Sequence, residues 1–67
     1  MGDVARVTEI SARSPNSFED AIKIGVDRAA QTLRGVASAW VKEQQVKVED
    51  GQVVEYQVNL LVTLVLE

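Results

Sequence analysis

Few side chains of this 67-residue chain could do chemistry. There is no cysteine and no histidine, so thiolate nucleophiles, imidazole bases and the usual zinc ligands are missing and most small enzyme classes are excluded. What remains is a single tryptophan, Trp40, two residues after Ser38, together with Gln44, Gln45 and Gln57. An indole offers a flat apolar face for stacking, and a carboxamide offers both a donor and an acceptor. The carboxylates of Glu43, Glu49, Asp50, Glu55 and Glu67 could supply oxygens to a hard cation, above all where copies of the chain converge. No calcium-loop spacing and no Asp-x-Asp-x-Asp run is present, however, so each is expected to be solvated. A turn alone accounts for Glu49 and Asp50. Arg6, Arg28 and Arg34 could pair with acidic residues across interfaces or hold a ligand phosphate, and their spacing does not choose. Ordinary explanations compete for the rest: Trp40 as packing in a subunit interface, where tryptophan is enriched, and Gln57 as a polar residue on the less apolar face of a strand.

The charge balance narrows the partners. Ten acidic residues against seven basic ones leave a net charge of −3 and a pI near 4.8, which argues against nucleic acid, whose phosphates need a concentrated basic face. With 46% hydrophobic and 25% charged residues, the chain is too balanced for disorder, and its apolar runs fall well short of the ~20 residues that cross a bilayer. No membrane association is expected. The opening Met1-Gly2-Asp3 carries neither a secretory signal nor a lipidation motif, and a cytoplasmic location is the default.

The elements that must position these residues form one domain over residues 1–67. Val4 to Ala12 contains β-branched residues and ends in the turn cluster Ser11–Asn16, predicting a strand over about 4–12. Ser17 is placed to cap a helix over about 17–34, with Glu19 and Asp20 at the positive end of its dipole. Phe18, Ile22, Val26, Ala29 and Leu33 recur at three- and four-residue spacing as its apolar stripe, and Gly35 stands where a left-handed residue ends a helix. Gly25 inside the helix costs roughly 1 kcal/mol relative to alanine, which close packing of helix on sheet would offset. Two strands follow, over about 36–48 and 52–66, joined by Asp50-Gly51, a strong hairpin signal. In the last strand the even positions from Val54 to Leu66 are all apolar, while the odd ones are mixed. A strand of about 14 residues extends roughly 45 Å, whereas a helix of ~17 residues extends about 25 Å. One helix cannot cover that sheet, so the chain is expected to form a homo-oligomer that hides the remaining apolar surface.

Three stretches in this order, Ser14-Pro15-Asn16-Ser17-Phe18, Asp27-Arg28-Ala29-Ala30-Gln31-Thr32-Leu33-Arg34 and Glu55-Tyr56-Gln57-Val58, resemble the dodecin family over nearly the whole chain. The resemblance implies an α+β fold of order β-α-β-β, a three-stranded antiparallel sheet wrapped around one helix, with twelve copies forming a hollow homododecamer. It also implies a non-enzymatic protein that stores riboflavin, FMN or a related flavin, stacked on a tryptophan and hydrogen-bonded by a glutamine of the last strand. The glutamine position matches Gln57. The tryptophan position falls on Ser38, and Trp40 lies two residues on, sharing strand parity but about 7 Å further along. Gln44 and Gln45, by their place in the second strand near where neighbouring subunits would meet, could contact a ligand rim. Family members lacking the tryptophan are associated with bound cations, calcium included, which gives the alternative of a flavin-free shell that binds cations or has a structural role.

Overall fold

A computed structural model of the chain describes residues 2–66. Strand β1 (Val4–Ser14) leads into helix α1 (Phe18–Thr32), followed by strands β2 (Val36–Glu49) and β3 (Gln52–Leu66). The strands form one antiparallel sheet in the order β1-β3-β2, so the last strand is central and both others are edges. Three elements differ in extent from expectation, β2 only by running one residue further to Glu49. β1 continues to Ser14, two residues beyond Ala12, because Arg13 and Ser14 still pair with Gln57 and Tyr56. The helix is confined to Phe18–Thr32 instead of 17–34, since Ser17 and Leu33 have extended backbones and act as its two caps.

Local chemistry explains the connections. The Ser17 hydroxyl accepts the backbone N–H of Asp20 at 3.0 Å, and Glu19 and Asp20 lie in the first turn, where negative charge complements the helix dipole. Ser14, 1% exposed, ties the strand end to the helix: its hydroxyl donates to Asp20 Oδ2 at 2.6 Å and accepts the backbone N–H of Asn16 at 2.9 Å. Asp50 and Gly51 have φ of 52° and 76° between the paired residues Glu49 and Gln52, as a two-residue type I′ hairpin requires. Gly35, at φ 80°, has a second reason to be glycine. A Cβ there would stand 2.6 Å from the carbonyl oxygen of Val65, and its own carbonyl accepts the Val65 N–H at 2.9 Å.

The core lies between α1 and one face of the sheet. Val58, Leu60 and Val62 of β3 are fully buried there, with Leu64 and Ala12 nearly so, each large side chain contributing about 1.5–3 kcal/mol. The innermost line of the helix is made of small residues, Ala21, Gly25 and Ala29. Phe18, Ile22, Val26 and Leu33 flank it, partly buried against the core. A Cβ on Gly25 would come within 2.9 Å of Leu60 Cδ1 and 3.0 Å of Ala12 Cβ, so the missing side chain is what lets helix and sheet approach. Phe18 meets Tyr56 edge to face, with ring centroids 5.1 Å apart, and closes the core at the start of the helix.

Beyond that contact the hairpin of β2 and β3 continues without cover. The molecule extends 53 × 20 × 14 Å, and Val46, Val48, Val53 and Val54 near the hairpin tip are all exposed. Among the described residues, no helix is long and apolar enough to cross a membrane.

Candidate functional site

The candidate ligand-binding residues Ser38, Trp40, Gln45 and Gln57 all fall on the face turned away from α1. Pleating sends alternate side chains to opposite sides, and the register arranges the open face in rows across the three strands. Arg13, Gln57 and Gln45 form one row; Ser11, Asn59 and Glu43 the next; then Glu9, Leu61 and Trp40; then Val7, Thr63 and Ser38. Gln45 and Gln57 are thus direct cross-strand neighbours, and Ser38 and Trp40 lie together further along the sheet. The structure therefore gathers the four candidates as two pairs. Gln44, opposite Val58, belongs to the helix-facing side and is no part of this surface.

A bulge makes this arrangement possible. Val41 pairs with Leu60 and Glu43 with Asn59, leaving Lys42 as an extra residue in β2. Its side chain crosses the open face to Glu9, with Nζ 3.3 Å from Oε1. Both groups are half-exposed, so the pair adds little stability.

The centre of the face is a hydrogen-bonded chain of side chains. Arg13 Nε donates to Gln57 Oε1 at 3.0 Å, Gln57 Nε2 donates to Asn59 Oδ1 at 3.3 Å, and Asn59 Nδ2 donates to Glu43 Oε1 at 3.3 Å. Ser11 adds a bond from its hydroxyl to Asn59 Oδ1 at 2.7 Å. Gln57 is held at the middle of the sheet and is only partly exposed. Trp40, by contrast, is 67% exposed, a large aromatic face on an edge strand with no aromatic partner among the described residues. Such a surface is suited to stacking and to hydrogen bonding with the rim of a planar molecule.

Sequence reasoning passed over Arg13, Ser11 and Asn59. Their odd positions, shared with Gln57, were the available signal, but it becomes informative only once β1 is registered against β3. The candidate cation ligands do not converge: no three acidic side chains meet among the described residues. Glu49 faces Lys47 at 3.7 Å on the exposed hairpin, and Glu67 lies outside the described residues. A separate groove of about 380 Å³ runs between α1 and β1, with Ile10, Ile24, Arg28 and Leu33 in its lining, and contains none of the four candidates.

Comparison with known proteins agrees with this architecture. The family model described as Dodecin matches residues 4–67. A dodecin from Streptomyces coelicolor is 38% identical, with a TM-score of 0.91 over 97% of this chain and 93% of that one. A dodecin from Streptomyces davaonensis is 34% identical, with a TM-score of 0.92 over 100% and 98% of the two chains. The calcium-chelating antigen of Mycobacterium tuberculosis, a calcium dodecin with a novel calcium-binding site, is 30% identical, with a TM-score of 0.82 over 96% and 91%. No curated protein matches the chain significantly.

Proposed function

The chain belongs to the dodecin family, and on that premise we propose that it is a non-enzymatic cytoplasmic homo-oligomer, a dodecamer, that binds and stores a small planar ligand, with riboflavin or FMN as the first candidate. The observation that carries this reading is the open face itself, where an exposed indole and an ordered carboxamide stand on one surface. Gln57 reads the hydrogen-bonding edge of the ring, Trp40 stacks on its plane, and Gln45 and Ser38 line the rim. Trp40 pairs with Leu61, four positions along β3 from Gln57, or about 13 Å. A ring lying flat on the indole is therefore better placed to meet Gln57 of another copy, which makes the site a product of assembly.

Titrating riboflavin into the purified oligomer tests this directly. Its fluorescence should be quenched, and Gln57→Ala should weaken binding about tenfold, the worth of a hydrogen bond left unmade in a desolvated site. Trp40→Ala should weaken it by a comparable factor. If Trp40→Ala lowers only thermal stability and leaves affinity unchanged, the indole is interface packing and its assignment to the ligand fails.

One relative favours a second reading, a flavin-free shell that binds cations, because the Mycobacterium tuberculosis protein is a calcium dodecin. Since no acidic cluster forms within one protomer among the described residues, such a site would draw carboxylates from several copies. Its signature is a melting temperature that falls on adding EDTA and returns with calcium. An unchanged melting temperature would remove it.

A further inference from the structure

The side-chain chain across the open face has a direction. A guanidinium can only donate and an ionised carboxylate can only accept, whereas an amide can turn either way. Here the donor-only group, Arg13, is at one end and the acceptor-only group, Glu43, at the other, with the two reversible amides of Gln57 and Asn59 between them. Every link runs from Arg13 towards Glu43. Turning Gln57 by itself would set its NH₂ against the guanidinium and its oxygen against Asn59 Oδ1, losing two bonds and facing like against like. Turning Asn59 would face its NH₂ towards that of Gln57, remove the acceptor used by the Ser11 hydroxyl and present oxygen to oxygen at Glu43. The four groups come from three strands, so the order is imposed by the sheet register and not by any local turn.

We infer that Arg13 and Glu43 are positioning residues that fix which way the Gln57 carboxamide faces, and so determine which hydrogen-bonding edge of a planar ligand this face accepts. The inference deepens the ligand-binding reading above and rests on it for the identity of the ligand. Once held, Gln57 has one Oε1 lone pair and one Nε2 proton to spare, an acceptor and a donor in fixed order. The matching ligand edge has a ring N–H beside a ring C=O, the pattern of a lactam or of a pyrimidinedione. Opposite charges at the two ends polarise the intervening amides, so the spare Nε2 proton is a stronger donor than that of a solvated glutamine. Neither Arg13 nor Glu43 need touch the ligand.

Two measurements on the full-length oligomer test the assignment. Arg13→Met, which keeps the aliphatic stem and removes the donor, should weaken riboflavin about fivefold or more. The same substitution should weaken N3-methylriboflavin by a clearly smaller factor, because that probe keeps the ring C=O but lacks the N–H that reads Gln57 Oε1; a merely structural role would weaken both probes alike and overturn the inference. The second measurement needs no ligand. Solvent exchange of the Gln57 Nε2 protons, followed by NMR, should be slowed in the native protein, accelerated in Arg13→Met, and slowed again when Arg13→Glu is combined with Glu43→Arg, which reverses the whole chain. Native exchange at the rate of a free glutamine, unaltered by Arg13→Met, overturns the positioning role. If riboflavin fails to bind while the exchange pattern holds, the flavin reading falls and the ordered carboxamide stands.

Discussion

Leu60→Ala is expected to destabilise the protein by about 2–5 kcal/mol. Leu60 is fully buried at the middle of the central strand, and its Cδ1 stands only 2.9 Å from where a Cβ on Gly25 would be. The surroundings cannot collapse into the space left behind. On one side α1 already touches the sheet through Ala21, Gly25 and Ala29, which have no atoms to spare, and on the other the strand is held by two ladders. A domain of this length has only about 3–10 kcal/mol of net stability, so the loss is a large share of the whole. Chemical denaturation at one fixed protein concentration measures it, with Leu60→Met as the volume-conserving control, expected to cost less than about 1.5 kcal/mol. Equal midpoints for the two variants would show that the seam between helix and central strand is not the core.

The second large effect concerns assembly. Val48 and Val53 are cross-strand partners near the hairpin tip, 56% and 47% exposed in the single chain. Replacing them together, Val48→Lys with Val53→Glu, exchanges an apolar pair for an opposite-charge pair that a two-stranded ribbon accommodates. The fold of one protomer should hardly change. An interface that buries this end of the hairpin, in contrast, would have to desolvate two charges, and the oligomer should dissociate. Sedimentation at micromolar concentration reads the outcome: native protein as a particle many times its 7.3 kDa subunit, the double variant close to that subunit. A double variant that still assembles would place the interface elsewhere and leave the uncovered valines unexplained.

What could be read from the residues in order was what local chemistry decides. Ser17, Gly35 and the Asp50-Gly51 turn each act within a few neighbours, and each does what its type requires. The helix stripe was legible only in part. Large apolar residues mark its flanks, but its innermost line, Ala21, Gly25 and Ala29, is small because the sheet approaches there, a fact about the partner surface and not about the helix. The candidate site was least legible. Gln57 and Trp40 stand out by type, yet the groups that order Gln57 come from Arg13 and Glu43, on strands whose alignment with β3 depends on pairing over more than forty residues for β1 and on a bulge for β2. Neither leaves a trace in the periodicity of any one segment.

That bulge makes strand length a determinant of surface identity. Counting back from the Gln45–Gln57 and Glu43–Asn59 pairs, an uninterrupted ladder would set Lys42 opposite Leu60, Val41 opposite Leu61 and Trp40 opposite Val62, turning the indole inward beneath the helix. The supernumerary position at Lys42 acts as a phase correction that keeps aromatic and aliphatic neighbours on their proper sides. Gaining or losing a single codon in this stretch would therefore exchange inside for outside over every preceding residue of the strand, so the recognition face can be rewritten by arithmetic alone, with no amino acid changed in kind.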